Sequence, residues 1–159
     1  MEKILSIIEK QPWLTPAQIG AMLDRSEEEV AAVIDQCKRD GIIKGYRTLI
    51  DWDKVSTNHV KALIELRVTP KKGRGFEEIA QVIADMDEVE AVTLISGGYD
   101  LLVEIKAKTF QEIAMLVAKR LSPLDDVYGT KTNFVLRSYK VNGVPFVDED
   151  KDERGFNFF

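Results

Sequence analysis

The stretch TPAQIGAMLDRSEEEVAAVIDQCKRDG, residues 15–41, decides the first half of the fold, because it holds two helix starts. Thr15-Pro16-Ala17-Gln18 is a capping box with proline in the first helical position, and Ser26-Glu27-Glu28-Glu29 is a second box eleven residues later. Starts so close together leave room only for a tight turn. Ile19, Met22 and Leu23 mark the apolar stripe of the first helix. Val30, Val33, Ile34 and Cys37 follow the i, i+3, i+4, i+7 spacing in the second, which Gly41 ends. Upstream, Ile4, Leu5 and Ile8 give another amphipathic helix. Three short helices joined this way form a helix-turn-helix pattern, which a generic helical cap can share. Downstream, Ile42-Ile43-Lys44-Gly45-Tyr46-Arg47-Thr48-Leu49-Ile50 is rich in β-formers. The helices are therefore expected to run directly into a strand, as in winged readers, until Asp51-Trp52-Asp53-Lys54 breaks the pattern.

A chain of 159 residues with 45% hydrophobic content holds one ordinary domain or two small ones. It carries no run of eighteen apolar residues and no charged-then-apolar leader, since Glu2 and Lys3 open an amphipathic helix at once. A soluble, cytoplasmic protein without a membrane partner is expected. The single cysteine, Cys37, has no partner for an intramolecular disulfide, and its place on an apolar stripe makes it a core residue. The net charge of −5 argues against a general polyanion binder, because non-specific DNA affinity comes from Lys and Arg neutralising phosphates. Even residues 1–50 hold seven bases against eight acids.

From His59 the period changes to two. Val60, Ala62, Ile64, Leu66 and Val68 lie on one face of a strand, with Lys61, Glu65 and Arg67 on the other. Pro70 to Gly75 reads as a basic turn, and Phe76, Ile79, Ala80 and Ile83 as a helix stripe. Val89 to Ile95 reads as a strand, Gly97-Gly98 as a two-residue hairpin turn, and Tyr99 to Ala107 as the partner strand. Thr109-Phe110-Gln111-Glu112 is a third capping box, opening a helix with Phe110, Ile113, Val117 and Leu121. Val127 to Tyr139 closes the order βαββαβ. An internal echo supports this division: Phe76-Glu77-Glu78-Ile79-Ala80 recurs as Phe110-Gln111-Glu112-Ile113-Ala114. Right-handed crossovers put both helices on one side of a four-stranded antiparallel sheet, the ferredoxin-like arrangement. Leu63, Leu102 and Leu94 are expected on the uncovered face, where a second copy would bury them.

Gly41-Ile42-Ile43-Lys44-Gly45-Tyr46 and Ser96-Gly97-Gly98-Tyr99-Asp100-Leu101-Leu102, set in this two-part plan, resemble the Lrp/AsnC family of amino-acid-responsive transcription regulators over residues 1 to about 140. The resemblance implies an α+β chain. Residues 1–50 would be a winged-type helix-turn-helix domain that binds double-stranded DNA, and 51–58 a linker. Residues 59–140 would be a ferredoxin-like, ACT-like effector and oligomerisation domain, and 141–159 an acidic tail. It further implies an amino-acid-like effector and homodimers that assemble to octamers. No cofactor and no metal are expected.

The recognition helix departs from the family, whose members usually place arginines between the core positions. With Val30, Val33 and Ile34 inward, the outward face here is Glu27, Glu28, Ala31, Ala32 and Asp35. Acids at a helix start are also explained by the helix dipole, and a carboxylate can accept from cytosine N4 yet is repelled by phosphate. Arg25, Ser26, Glu28, Ala32, Asp35, Lys38, Arg39, Lys44 and Arg47 are the DNA-facing candidates, the five basic ones for phosphates. Ordinary solvated charge explains each of those five equally well. For the effector, the N–H groups of a glycine turn suit a carboxylate and a nearby acid suits an ammonium. By resemblance Ser96, Gly97, Gly98, Tyr99 and Asp100 form the effector loop, with Thr130 and Thr132 on the last strand as secondary candidates. Asp100 could instead cap the turn through backbone N–H bonds.

An enzyme is poorly supplied: the chain has no Gly-x-Ser-x-Gly, no phosphate-binding Gly-x4-Gly-Lys, no Cys/His cluster, and one histidine, His59. A further class is a ligand-sensing or partner-binding module with weak or lost DNA binding. It draws on the acidic helix and on the tail, where Asp148-Glu149-Asp150-Lys151-Asp152-Glu153 precedes Phe156, Phe158 and Phe159.

Overall fold

The computed structural model describes residues 1–55, 59–71 and 75–146, which divide into two units, Met1–Leu49 and the residues from Ile50 onward. Parts of the expected linker (56–58), of the basic turn (72–74) and of the acidic tail (147–159) lie outside the described residues. Among the described residues no helix is long and apolar enough to cross a membrane.

The first unit is three helices: α1 (Glu2–Lys10), α2 (Pro16–Leu23) and α3 (Glu27–Arg39). Both predicted capping boxes close. The Thr15 hydroxyl accepts from the Gln18 N–H (3.2 Å) while the Gln18 amide oxygen accepts from the Thr15 N–H (2.9 Å). Ser26 and Glu29 repeat the exchange at 3.2 and 3.4 Å. The core is Ile4, Ile8, Ile19, Val30 and Ile34, with Ile7, Leu14, Leu23, Val33 and Ile43 packed against it. Met22, expected inward, is exposed, and the buried position beside Ile19 is Gly20. The cause is the turn to α3: a Cβ on Gly20 would meet the Arg25 carbonyl oxygen at 2.6 Å. Asp24 adopts the left-handed conformation (φ 53°), and the Arg25 N–H donates to the Gly20 carbonyl. At the other end of α3, Gly41 (φ 67°) reverses the chain, and the Cys37 carbonyl accepts from the N–H groups of Ile42 and Ile43. The strand expected over Ile42–Ile50 does not form: no described strand pairs with this stretch, and β-rich composition without a ladder partner does not make a strand.

The second unit is β1 (Val60–Val68), α4 (Glu77–Ala84), β2 (Val89–Leu94), β3 (Leu101–Ala107), α5 (Phe110–Leu116) and β4 (Val127–Val135) in one antiparallel sheet of order β2-β3-β1-β4. This is the ferredoxin-like order the sequence predicts. Ala62, Ile64, Leu66 and Val68 of β1 and Leu101, Val103 and Ile105 of β3 are buried under Ile79 and Ile83 of α4 and Ile113 and Leu116 of α5. Past Leu116 the helix widens into a π turn, Val117–Leu121, which buries both of its end residues.

Three expectations change here. The closing strand stops at Val135 rather than Tyr139, and a separate hairpin follows, β5 (Lys140–Val141) with β6 (Val144–Pro145). Its turn residues Asn142 (φ 47°) and Gly143 (φ 83°) have the paired positive φ of a type I′ turn. Gly97 and Gly98 do not: neither has positive φ, and the β2–β3 connection closes only at Ile95, whose N–H donates to the Asp100 carbonyl (2.7 Å), leaving four residues between. Finally, Leu94 pairs with Leu101 and so belongs to the helix-covered face, at an edge-strand end where it stays 57% exposed. Leu63 and Leu102 do lie on the open face, half-buried, among Lys61, Glu65, Arg67, Glu104 and Lys106. That face is charged more than apolar.

Candidate functional site

The first candidate surface is α3. Glu28, Ala32 and Asp35 follow i, i+4, i+7 and are all exposed, so the helix brings them onto one stripe. Arg25 and Ser26 lie at its start and Lys38 and Arg39 at its end, which over thirteen residues is a separation of roughly 20 Å. Bases thus flank a stripe of acid and alanine. Several of these groups already have work. Ser26 is committed to the cap, Lys38 Nζ lies 3.8 Å from Asp35, and Arg39 donates to the Gln36 amide oxygen at 2.7 Å. The Glu28 carboxyl lies below its ordinary range because it accepts from its own backbone N–H and from the Ser26 hydroxyl. It is therefore charged at neutral pH. Lys44 and Arg47 are exposed on the segment after α3.

The second candidate is the loop Ser96–Asp100. Ser96, Gly97 and Gly98 are exposed, and Tyr99 and Asp100 are half-buried. Space beside Gly98 is open: a Cβ there would meet nothing within 4 Å. Asp100 is tied to β1 twice, through its N–H to the Leu66 carbonyl (2.9 Å) and through Oδ2, which accepts from the Val68 N–H (2.8 Å). The pairing of β1 with β3 ends at Leu66–Leu101, and the β1–β4 register shifts between Arg67 and Val68. The carboxylate thus extends the ladder where the backbone of β3 no longer can. One oxygen of Asp100 therefore has a structural task, the capping alternative, with a non-local partner in place of a local one. Thr130 pairs with Leu66 on the side opposite Leu101, so it shares one end of the sheet with the loop; Thr132, opposite Ile64, is one step further in.

A third feature had no signal in the sequence. At the opposite end of the sheet, a cleft of about 700 Å³ opens among His59, Glu88, Lys106, Leu116, Lys119 and Arg120. Arg120 bridges both oxygens of Glu88 at 2.8 and 2.9 Å across it, and Lys106 Nζ sits 4.7 Å from the Trp52 ring centre. Among the described residues no group of three or more His, Cys, Asp or Glu could hold a metal ion.

Comparison with known proteins places both units. Residues 61–145 match the Lrp/AsnC ligand binding domain. An HTH-type transcriptional regulator of Bacillus subtilis (strain 168), YugG, is 39% identical over 153 residues, covering 96% of this chain and 92% of that one. Among solved structures, PH0061 superposes with a TM-score of 0.75 at 18% identity, covering 88% of this chain and 93% of that one. NMB0573 of Neisseria meningitidis, a transcriptional regulator solved as an L-Met complex, superposes with a TM-score of 0.70 at 20% identity, covering 89% and 91%. These two likenesses agree in fold, and the ligand-domain match together with the 39% identity along nearly the whole length carries more: the chain belongs to the Lrp/AsnC family of HTH-type transcriptional regulators.

Proposed function

We propose that the protein reads double-stranded DNA as a symmetric homo-oligomer, with α3 against the bases and Arg25, Lys38, Arg39, Lys44 and Arg47 at the phosphates. In this reading an amino-acid-like effector at Ser96–Asp100 shifts the assembly. The observation that carries it is the α2–α3 turn: the closed Ser26–Glu29 capping box and the Gly20 approach to Arg25 set the start of α3, whose exposed stripe has Ala32 at its centre. Few bases per subunit make a single contact weak, and a dimer or octamer repeats it, so avidity supplies what one subunit lacks. Acting on DNA, the protein works in the cytoplasm. Support for the effector class comes from NMB0573, a relative in fold solved with L-Met. The exposed N–H groups of the loop suit the carboxylate, the second oxygen of Asp100 suits the ammonium, and Thr130 and Thr132 flank the same sheet end.

The test is a gel shift on the DNA upstream of the protein's own gene, with each amino acid added in turn, beside light scattering. A shift altered by at least one amino acid, together with a change in mass, is expected; a monomer at micromolar concentration, with or without ligand, sinks the oligomer reading. Asp100→Asn separates the two tasks of that residue: the amide oxygen still accepts from Val68, but the charge that would hold an ammonium is gone. Effector response should vanish while the fold persists. The acid on α3, Glu28 above all, favours a second reading as a ligand sensor with weak or lost DNA binding, and an absent gel shift beside an intact effector response would select it.

A further inference from the structure

The cleft between α5 and the start of β2 lies at the far end of the sheet from Ser96–Asp100, and nothing assigned to that loop occupies it. Its volume of about 700 Å³ is that of a small-molecule site. Ile105, Ile113 and Leu116, all buried, form an apolar floor, and Met115 stands 41% exposed at the rim. The charges are sorted by wall. Asp87, Glu88 and Glu90 come from the start of β2 and the turn before it, whereas Lys119 and Arg120 come from the π turn that follows α5. Of the other charged groups on the rim, Lys106 lies over Trp52, Glu112 accepts from the Lys108 N–H at 2.9 Å, and Lys108 adds a third base.

The π turn brings the two walls together. In an α-helix the third and fourth residues after Val117 would share its inward face, which would press Arg120 against the core beside Leu121. Instead the Ser122 N–H reaches back five residues to the Val117 carbonyl (2.8 Å). The wider turn keeps Val117 and Leu121 buried and lets Arg120 cross to Glu88, whose two oxygens it meets at 2.8 and 2.9 Å. Such turns are rare and gather at functional sites. The Arg120 and Glu88 side chains remain 45% and 39% exposed, and an ion pair in water contributes little, so opening it costs little. Whatever opens it must answer two charges. A ligand with one charge leaves either Glu88 or Arg120 without a partner, and a ligand with both an ammonium and a carboxylate satisfies the two at once.

We propose that this cleft is a second ligand site, which takes a small zwitterion with an apolar side chain, an amino acid or a dipeptide. The ammonium meets Glu88, the carboxylate meets Arg120 and Lys119, and the side chain lies on Leu116 and Met115. The cleft shares no residue with Ser96–Asp100, Thr130 or Thr132, so the two sites stand or fall separately.

Calorimetric titration of the full chain carrying Asp100→Asn tests this with the effector loop disabled. The probes are L-leucine and the dipeptide L-leucyl-L-leucine, beside 4-methylpentanoate and 3-methylbutylamine, which keep the apolar body of leucine with one charge each. At least one zwitterion should bind, and both single-charge probes should bind about tenfold or more weaker. Adding Glu88→Gln or Arg120→Gln should weaken the zwitterion about tenfold while circular dichroism stays unchanged, since both side chains are exposed. In Glu88→Gln, 4-methylpentanoate has no ammonium contact to lose and should bind at least as well as before. Hydrogen exchange with the zwitterion present should slow in peptides covering 86–92 and 112–121. Silence of both zwitterions up to about 10 mM overturns the proposal. So does a single-charge probe that binds as tightly as the zwitterion, binding indifferent to both Gln variants, or slowing confined to residues 95–101.

Discussion

Phe76-Glu77-Glu78-Ile79-Ala80 and Phe110-Gln111-Glu112-Ile113-Ala114 share a pattern and open equivalent helices, yet their phenylalanines meet opposite fates. Ile79 and Ile113 are both buried in the common core. Phe76 packs against that core, whereas Phe110 is more than half exposed. Two local causes separate them. Thr109 precedes Phe110 and caps the Glu112 N–H at 3.1 Å, so α5 starts at the phenylalanine itself; Gly75 precedes Phe76, offers no hydroxyl, and leaves Phe76 as the uncapped N-cap. The neighbours differ too, since α4 lies over β2 while the Phe110 ring meets Phe134 on the edge strand. A repeated sequence therefore repeats the helix and its inward stripe, but the edge of the sheet decides what becomes of the residue at the helix start.

The largest effects should fall where the two halves agree. Ile79→Ala and Ile113→Ala should each cost about 2–5 kcal/mol in chemical denaturation, and a large gap between them would break the equivalence of the two cores. Next come the residues that differ. Phe76→Ala should cost about 3 kcal/mol and Phe110→Ala about 1, the latter set by one edge-to-face contact; the reverse order would mean that Phe110 is the buried one in solution. Thr109→Ala should cost about 1 kcal/mol, a loss with no counterpart at Gly75.

The smallest effect is electrostatic. Lys71, ahead of α4, lies 3.0 Å from Asp126 and 3.9 Å from Glu78, and its pKa is raised above the ordinary 10.5, chiefly by the hydrogen bond and charge of Asp126. The stabilisation is fully present below 10.5 and is lost as pH rises through the raised value. Glu28 in the first unit runs the other way. Its lowered pKa gives stability that is present above the ordinary 4.5 and is lost as pH falls through the folded value. Both groups are exposed, so screening keeps each contribution small. Lys71→Met should flatten the alkaline side of the stability profile and leave the acid side unchanged.

The elements written in local chemistry were legible in the sequence. Thr15, Ser26 and Thr109 each place a helix start where the structure has one, and the period-two run from Val60 places β1 with the correct face inward. Errors arose where a partner at long range decides. Gly97-Gly98 has hairpin composition, but the pull of Asp100 towards Leu66 and Val68 widens the connection, and that pull is invisible along the chain. The type I′ turn, Asn142-Gly143, carries the dipeptide that marks such turns, yet its acidic downstream neighbours give the stretch from Val141 the composition of a tail. Ile42–Ile50 reads as a strand by composition, and a strand needs a neighbour. Gly20 had no signal at all, since its role rests on how near the Arg25 carbonyl comes.

Cys37, the one thiol in 159 residues, is 1% exposed at the inner side of α3. It gives the molecule a clock. A thiol reagent can reach it only when the helical unit opens, so the labelling rate measures the opening of the reading head and is blind to motions confined to the sheet. Timed with and without an effector, that clock would register any message passing from the second unit to the first, even one that leaves the average structure of both units unchanged.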